Sequence, residues 1–417
     1  MRQSHLFTKT RKESPADEVS KNARLLIRAG YIHKELAGVY SLLPLGLRVM
    51  NKIEQVVREE MDAIQGQEIE MTTLQSKDLW EKAGKWDDDK VDIWFKTKLK
   101  NETELGLAFS HEEAIAEMLR GYLSSYKDLP QYIYQFQTKF RNEIRAKSGI
   151  MRGREFLMKD MYSFNKTQED LDTFYEEAKQ AYVRIFNRVG LGSITYVTAA
   201  DGSVFGDRSD EFQALSEAGE DTIYIDEATK LAINEEVYTD EKITELGLKK
   251  ENLTKKKSIE VGNIFPIGDK VAKQIDFTYT DSEGKEQPIY MGSYGIGIGR
   301  VMGTIVEALS DGKGIVWPEE ISPFKVHLVT LGTNNEDVVS FAEGIYSSLT
   351  EQGIEVLYDD RDAMPGEKLA DSDLLGITTR MVIGRKTLES GQIEIVDRAT
   401  GKVTMLTESD VVTGKIS

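Results

Sequence analysis

The feature that most constrains the fold of this chain is a glycine ladder that ends in an arginine, GSYGIGIGR at residues 292–300. A glycine has no Cβ and lets the backbone approach a ligand closely, and Arg300 places a guanidinium at the start of a helix predicted over 300–309. A strand is predicted at 288–291, just before the ladder. The spacing is not GxGxxG and no acidic residue ends a following strand, so the ladder does not indicate a dinucleotide fold. A tight turn that closes a strand–helix junction is the alternative.

A second arginine segment, FRNE at residues 140–143, lies about 150 residues upstream. Arg141 and Glu143 stand two apart in a strand predicted at 132–143, so both side chains are expected on the same face. Another strand is predicted at 155–164, and the hairpin tip between the two strands is cationic, with Arg145, Lys147, Arg152 and Arg154. For Arg141 and Glu143, a surface ion pair on a half-buried strand is the alternative.

Together the two segments predict a nucleoside triphosphate that is gripped from two sides. Guanidinium groups stay charged at any working pH and match phosphate oxygens in a two-pronged geometry. In such a site Phe156 can stack on a purine face while Arg152 reaches a terminal phosphate.

A third segment, FSHEE at residues 109–113, predicts the start of a helix. In one interpretation Ser110 is the N-cap and Glu113 completes a capping box. In the other, Glu112 meets a cationic amine beside the Ser110 hydroxyl. The local sequence favours neither.

The composition limits what such a site can bind. The chain has no cysteine, which excludes disulfides, thiol nucleophiles and thiolate-bound zinc. Its histidines do not fall at a metal-ligand spacing, so Mg²⁺ carried in with phosphates is favoured over a protein-caged transition ion. The formal net charge of −18 argues against nucleic-acid binding by bulk electrostatics but allows a local basic patch. No apolar run approaches the roughly 20 residues that cross a bilayer, and the N-terminus lacks the apolar segment of a secretory signal, so no membrane association and a cytoplasmic location are expected.

At 417 residues the chain is expected to form two or three domains. The stretch 317–323 predicts a linker between residues 1–320 and an α/β domain at 325–417, where strands and helices alternate. In the first part, helices are predicted at 16–29, 45–64 and 167–190, and a strand at 67–74. Residues 226–257 are weakly patterned and charged, and are predicted to form a small surface insertion.

Taken in order, these segments resemble the three signature motifs of class II aminoacyl-tRNA synthetases, in particular the bacterial-type prolyl-tRNA synthetase family. Residues 45–74 are similar to motif 1, residues 140–164 to motif 2, and residues 291–300 to motif 3. GIVWP at 314–318 also matches, as does the run from YDDR at 358–361 to GEKLADSD at 366–373. The resemblance covers essentially the whole chain.

The resemblance implies an α+β catalytic domain built on an antiparallel six-stranded sheet, followed by an α/β anticodon-binding domain. It implies a homodimeric, ATP-dependent proline–tRNA ligase that uses Mg²⁺ and takes L-proline and proline tRNA as substrates. Arg141 and Arg300 would be catalytic, because they would stabilise charge at the α-phosphorus. The residues implied in ATP binding are Arg141, Glu143, Arg152, Phe156 and Arg300. Those implied in proline binding are Ser110, Glu112, Arg141, Met158, Tyr162, Gly292 and Ser293.

The chain departs from the family pattern at three positions where members often carry histidine. Asn165, Asp210 and Asn263 stand there instead, which changes the hydrogen-bond donors and the charge expected around the proline pocket. Many bacterial members carry a large editing domain between motifs 2 and 3. Here about 30 weakly patterned residues, 226–257, take that place, so we expect no editing of alanyl-tRNA in cis.

The anticodon contacts and two rival functions stay open at this point. Candidate contacts, each also explained by surface solvation, are Arg361, Lys368, Arg380 and Arg385. A threonyl enzyme is one rival, although the chain lacks the cysteine and the histidine-based zinc constellation expected of it. A synthetase-like binding subunit that has lost catalysis is the other, although Arg141, Glu143 and Arg300 are retained.

Overall fold

The computed structural model describes residues 1–144, 148–202 and 209–415. By packing, the chain forms two compact units. One, called the terminal unit below, contains Met1–Glu35, Tyr40–Lys52 and Ile305–Ser417; the other, called the central unit, contains Leu36–Val39 and Ile53–Thr304. The domain bounds 1–320 and 325–417 stay a prediction.

The helices form where the sequence supplies an apolar face, and several of them also begin at a capping side chain. They are α1 Lys21–Arg28, α2 Pro44–Ala63, α3 Lys77–Lys82, α4 Glu112–Leu119, α5 Gln168–Arg188, α6 Asp240–Glu245, α7 Lys270–Ile275, α8 Ile298–Leu309, α9 Glu336–Glu351, α10 Pro365–Leu375, α11 Arg385–Ser390 and α12 Glu408–Val412. The predicted helix at 45–64 is confirmed as α2, and its Ile53, Val57 and Met61 are buried. The predicted start of α5 is also confirmed, because the Thr167 side chain accepts a hydrogen bond from the backbone N–H of Asp170.

The strands belong mostly to two sheets, one in each unit. They are β1 Ile32–Leu36, β2 Val39–Leu42, β3 Gln67–Ile69, β4 Leu74–Ser76, β5 Phe95–Lys98, β6 Glu104–Leu107, β7 Gln131–Phe140, β8 Glu155–Asn165, β9 Thr195–Ala200, β10 Ser209–Leu215, β11 Asp221–Asp226, β12 Leu231–Asn234, β13 Thr254–Gly268, β14 Thr278–Thr280, β15 Glu286–Pro288, β16 Tyr290–Gly297, β17 Val326–Thr330, β18 Val356–Asp359, β19 Thr379–Ile383, β20 Gln392–Asp397 and β21 Val403–Thr407.

The central unit is built on a nine-stranded sheet in the order β10-β9-β12-β11-β13-β16-β8-β7-β3. Neighbouring strands are antiparallel except for the parallel pairs β9–β12 and β3–β7. The sheet has more strands than the six predicted, because β9, β11 and β12 extend it and β10 also pairs with β13. Residues 226–257, predicted as a surface insertion, contribute β12 and bury Ile233, Ile243 and Leu248 in a small apolar cluster.

The glycine ladder is the strand β16, at the centre of this sheet between β13 and β8. The predicted end of the strand at Met291 is wrong, because pairing on both sides compensates for the low strand propensity of glycine. A Cβ at Gly295 would clash with the Met158 methyl group and lie 3.0 Å from Oδ1 of Asn263. Glycine therefore keeps open the space above the strand. Helix α8 follows at once, and Arg300 is its third residue.

The two faces of the sheet have different roles. Helix α5 packs on one face of β8, β13 and β16, and Lys159 on that face donates a hydrogen bond to the Tyr182 hydroxyl of α5 at 2.6 Å. Since successive strand residues point to opposite faces, Met158, Asp160 and Tyr162 point away from α5. That second face carries the candidate site.

The terminal unit contains a five-stranded sheet in the order β18-β17-β19-β20-β21. Its first three strands are parallel, and β20 and β21 are added antiparallel. Its apolar cluster joins these strands to α9 and α12 through residues such as Leu328, Ile345 and Val411. The predicted α/β character of the region from 325 is confirmed.

Candidate active site

Both arginine segments line one cavity of about 570 Å³ in the central unit. Ten of the residues predicted for the site lie in its wall: Ser110, Glu112, Arg141, Glu143, Arg152, Phe156, Met158, Tyr162, Ser293 and Arg300. Gly292 is not among the lining residues, since a Cβ there would meet the Tyr294 ring and Ser163 on the α5 face of the sheet. The sheet therefore brings together the site predicted from the sequence, apart from Gly292.

Arg141 lies just beyond the end of β7 rather than within a strand. Its backbone N–H donates to the carbonyl of Arg154 at 2.8 Å, while the N–H of Glu143 turns back to the carbonyl of Arg141 at 2.7 Å. The prediction that Arg141 and Glu143 share a strand face is wrong, because this tight turn replaces the ladder. The guanidinium of Arg141 lies 5.3 Å from the centre of the Phe156 ring, a cation–π contact. Burial, and then the charge of Arg300, lowers the pKa of Arg141.

Arg300 enters the cavity from the first turn of α8. Its Nε donates to the Met151 carbonyl at 2.9 Å, and one terminal nitrogen donates to the Glu260 carbonyl at 3.0 Å. That nitrogen also lies 3.5 Å from the Glu260 carboxylate. The two backbone carbonyls thus fix the orientation of the Arg300 guanidinium.

Arg152 stands at the opening of the cavity between two carboxylates. It lies 3.0 Å from the carboxylate of Glu143 and 3.1 Å from that of Glu220. The hydrogen bond to Glu143 is the main cause that raises the pKa of Arg152. Arg145 and Lys147, predicted at the same hairpin tip, lie outside the described residues.

The helix start at 109–113 does not form the predicted capping box. Helix α4 begins at Glu112 with His111 as its N-cap, and no side-chain cap hydrogen bond is present there. The predicted cap is wrong, because Glu113 instead forms a buried ion pair with Lys85 at 2.5 Å. Glu112 is buried at the cavity wall, where Oε1 accepts a hydrogen bond from the Ser293 hydroxyl at 3.0 Å. Burial, and then the charge of Glu113, raises the pKa of Glu112.

A buried polar network that the sequence analysis missed supports this end of the cavity. Lys139 lies 2.8 Å from the Asp160 carboxylate and donates to Nδ1 of His111 at 2.5 Å. Nε2 of His111 faces the Thr72 carbonyl at 3.1 Å, so it carries the hydrogen. Asp160 also accepts from the Tyr162 hydroxyl at 2.8 Å. Burial, and then the charge of Lys139, lowers the pKa of His111 to about 4, so the ring is neutral near pH 7.

One signal in the sequence points to Asp160. It shares strand parity with Phe156, Met158 and Tyr162, which were all assigned to the site. Lys139 and His111 offer no such signal, because a lysine and a histidine beside apolar residues are ordinary on a half-exposed element.

Of the three positions that depart from the family pattern, one lies in the cavity. Asn263 lines it, and its Nδ2 donates to Glu260 at 2.7 Å. Asp210 instead pairs with Lys179 of α5 at 2.8 Å. Asn165 is buried and donates to Ser163 at 3.0 Å. Of the three positions, Asn263 alone can therefore change the wall of the cavity.

The four candidate anticodon residues differ in how accessible they are. Lys368 is buried, and its ammonium donates to the carbonyls of Thr330 and Asp359 at 2.8 and 3.2 Å. Arg361 and Arg380 are held in ion pairs, with Asp359 at 2.7 Å and Asp373 at 2.6 Å respectively. The remaining candidate, Arg385, is exposed.

Nowhere in residues 1–144, 148–202 and 209–415 do three or more histidine or acidic side chains come together as a metal site. Within the same ranges, none of the helices has the length and apolarity that crossing a bilayer requires.

A largely antiparallel sheet that presents a glycine strand and two distant arginines to one cavity is typical of the class II aminoacyl-tRNA synthetases. In keeping with this, the profile of the tRNA synthetase class II core domain (G, H, P, S and T) matches residues 95–309, and that of the anticodon binding domain matches residues 325–414.

Similarity to individual proteins identifies the family more narrowly than the two domain profiles do. The chain is 40% identical over 426 residues to a proline–tRNA ligase of Parvibaculum lavamentivorans, covering 96% of this chain and 97% of the relative. In fold it is similar to the prolyl-tRNA synthetase of Cryptosporidium parvum, solved with halofuginone and AMPPNP, at a TM-score of 0.78, 16% identity and coverages of 95% and 75%. It is also similar to the Giardia lamblia enzyme solved with prolyl-adenylate, at a TM-score of 0.75, 20% identity and coverages of 93% and 74%. The chain belongs to the proline–tRNA ligase family, and it is an ATP-dependent ligase of class II.

Proposed function

We propose that the 570 Å³ cavity joins L-proline to ATP as prolyl-adenylate and then transfers the prolyl group to the 3′ end of proline tRNA. The observation that carries the proposal is the convergence of Arg141, Arg300 and Glu112 on one cavity, with cations for phosphate and a buried carboxylate for an ammonium. The adenylate bound by the Giardia relative supports the same intermediate here.

The proline end of the site is assigned to Glu112 and its neighbours. The ammonium of proline would pair with the Glu112 carboxylate beside Ser110 and Ser293, and its carboxylate would face Arg141. Met158 and Tyr162 would line the pyrrolidine ring. The hydrogen bond from the Tyr162 hydroxyl to Asp160 supports this role, because it satisfies the polar tip and leaves the aromatic ring to contact an apolar group.

The ATP end of the site is assigned to the remaining cations. Arg141 would hold the α-phosphate, Arg152 the distal phosphates, and Phe156 and Arg300 the two faces of the adenine, with Glu143 near its edge. The proline carboxylate attacks the α-phosphorus, pyrophosphate leaves, and the 3′-terminal adenosine of the tRNA then takes the acyl group. No protein base is needed in the first step, since a carboxylate is already a nucleophile. Catalysis is positioning and electrostatic stabilisation by the arginines.

The proposal includes Mg²⁺, and the carboxylate of Glu260, which lies 3.5 Å from Arg300, suits it together with the neighbouring carboxylate of Glu211. Glu260 lines the cavity, and after burial its charge is the next cause that raises the pKa of Glu211 to about 7. A divalent cation would relieve the repulsion between these two carboxylates, and oxygen ligands are those that Mg²⁺ prefers. Glu260 and Glu211 would hold the ion, which when bound neutralises charge on the phosphates.

We also propose that the chain does not edit alanyl-tRNA in cis. Residues 226–257 supply β12, α6 and a small apolar cluster, which leaves little chain for a separate hydrolytic domain. A pocket for proline rejects the smaller alanine by only about 1–3 kcal/mol per methylene. Alanyl-tRNA made by the purified protein should therefore persist when deacylation is followed with labelled alanine. Its rapid hydrolysis by this chain alone would contradict the proposal.

The remaining partners follow from the family pattern. The region from 325 onward would bind the anticodon arm, with the exposed Arg385 as the accessible candidate among the four. The motif 1 segment, 45–74, would form a homodimer interface, and the protein would act in the cytoplasm, where tRNA is charged. Sedimentation equilibrium at micromolar concentration would give a mass of one chain if the dimer is wrong.

ATP–pyrophosphate exchange across the amino acids tests the activity and separates the rivals. Exchange should depend on proline. Exchange with threonine alone would favour the threonyl rival, and absence of exchange with any amino acid would favour a binding subunit without catalysis.

A further inference from the structure

Glu220 makes two contacts to the motif 2 hairpin that no role assigned above requires. It stands in the turn between β10 and β11, immediately before Asp221. One carboxylate oxygen accepts a hydrogen bond from the Ser148 hydroxyl at 3.1 Å, and the other accepts from Arg152 at 3.1 Å. Glu220 thus contacts the hairpin at Ser148, just before its 3₁₀ segment Gly149–Met151, and at Arg152, just after it.

The place of this contact links it to the cavity. A second, smaller cavity of about 100 Å³ is lined by Glu220 together with Arg152, Glu260 and Arg300. The last three residues also line the main cavity. Glu220 therefore contacts Arg152 in a small cavity that shares three lining residues with the main one.

The negative charge already present around Arg152 disfavours the binding of a phosphate there. Two carboxylates, Glu143 at 3.0 Å and Glu220 at 3.1 Å, share one guanidinium. Each carboxylate accepts a hydrogen bond from a different terminal nitrogen of Arg152, so both terminal nitrogens already carry an anionic partner. Distal phosphates would be repelled by these two carboxylates, and the release of one of them would strengthen the attraction of the guanidinium for phosphate.

The solvent exposure of Glu220 and Glu143 indicates which of the two carboxylates leaves Arg152 when a phosphate binds. The side chain of Glu220 is 39% exposed, while that of Glu143 is 20% exposed. An exposed ion pair is weak and is replaced at low cost, because water solvates the released carboxylate. Glu143 in addition is the residue whose bond contributes most to the raised pKa of Arg152.

We propose that Glu220 is a positioning residue that competes with the distal phosphates of ATP for Arg152 and thereby weakens ATP binding. The inference rests on the proposed function of the cavity, in which Arg152 meets those phosphates. In the free protein Glu220 holds the hairpin through Arg152 and Ser148. When ATP binds, the phosphates replace Glu220 on Arg152, while Glu143 keeps its contact.

Equilibrium binding of Mg–ATP and ATP–pyrophosphate exchange test the proposal in the full chain. In Glu220→Gln the side chain keeps its shape but loses its charge, so Kd and KM for ATP should fall by about two- to fivefold. KM for proline should stay unchanged. The gain should shrink at high salt, because the pair is partly exposed. The matched control is Glu217→Gln, an exposed carboxylate three residues earlier in the same turn, which should leave Kd for ATP unchanged.

A double-mutant cycle assigns the effect to Arg152. Arg152→Ala should raise Kd for ATP, and in that background Glu220→Gln should have no further effect. An unchanged or raised Kd in Glu220→Gln, or the same fall in the Arg152→Ala background, would overturn the proposal. If the wild-type protein showed no proline-dependent exchange, the proposed function would be wrong. The binding titration with Mg–ATP would still decide the role of Glu220.

Discussion

The Ser293 hydroxyl donates a hydrogen bond to Oε1 of Glu112 at 3.0 Å. This bond joins the glycine strand β16 to the first residue of α4, two elements about 180 residues apart in the sequence. Oε2 of Glu112 is buried and has no hydrogen-bond partner among the described residues. A buried acceptor without a partner is costly, so the pair fixes one oxygen and leaves the other for a ligand that donates.

Replacing Glu112 with glutamine tests this arrangement. Hydrogen bonds to charged groups contribute about 1.5–3 kcal/mol, so KM for proline should rise by roughly 10- to 150-fold in Glu112→Gln. KM for ATP should change little, and exchange kinetics measure both. The control is Glu117→Gln, an exposed carboxylate on the same helix paired with Arg120 at 3.0 Å. An unaltered KM for proline would remove Glu112 from the ammonium site.

The positive charge of Lys85 should affect the pH dependence of proline binding, because it lowers the pKa of Glu112. Burial and Glu113 raise the pKa of Glu112, and Lys85 opposes this rise. Since the ionised carboxylate binds the ammonium, proline binding is lost as pH falls through that raised pKa. Lys85→Met removes the opposing charge and should move the acid limb of kcat/KM for proline to higher pH, whereas Lys85→Arg should keep it in place. Lys139, Asp160 and Arg141 face the same region and are unchanged in both variants. Coincident profiles for the three proteins would exclude this role.

Part of the site was predictable from the sequence. The hairpin at 130–164 pointed to Phe156 and the family resemblance to Met158 and Tyr162, and all three lie in the cavity wall because they alternate along β8. The turn at Arg141 was missed because it depends on a hydrogen bond from Asn142 to the carbonyl of Ile93, almost 50 residues away. The buried network of Lys139 was missed for the same reason, since its partners come from other elements.

Local sequence patterns also predicted the long helices, but they did not predict which distant strands pair in the sheet. The apolar face of α2 and the cap of α5 are visible in a short window of sequence. The pairing of β10 with β13 and the parallel pairing of β9 with β12 join distant segments, and no local pattern encodes them.

Arg141 should be indispensable for activation of proline. Its guanidinium is held over Phe156 and lies near Arg300, which suits a fixed anionic partner. Arg141→Ala should reduce exchange by about 100-fold or more, as for loss of a preorganised donor at a developing charge. Arg141→Lys should restore little, because an ammonium lacks the paired donors. Arg184→Ala, on an exposed face of α5, is the control for expression and Tm. Near wild-type exchange in Arg141→Ala would contradict the assignment of motif 2.

Gly295 should control the depth of the cavity. A Cβ at this position would displace the Met158 methyl group and press on Asn263. Met158 is flexible and both residues line the cavity, so Gly295→Ala should narrow the site more than it destabilises the fold. KM for proline should rise several-fold with a Tm close to wild type. Gly312→Ala, where a Cβ meets nothing within 4 Å, is the matched control. A large loss of Tm without a kinetic change would show that the glycine serves the sheet alone.

His327 should make the stability of the terminal unit depend on pH. It is buried, with Nε2 donating to Oε1 of Gln3 at 2.9 Å and Nδ1 2.9 Å from the Ser372 hydroxyl. Burial lowers its pKa to about 4, so the unfolded chain binds this proton more readily than the folded chain. Stability is therefore complete above the ordinary histidine pKa and falls as pH drops from about 6.5 toward 4, by up to about 3 kcal/mol for this group. Urea unfolding of the wild type and of His327→Asn at several pH values measures the slope. The variant should lose stability overall but show a shallower decline between pH 6.5 and 4, and parallel curves would mean that His327 contributes no linkage.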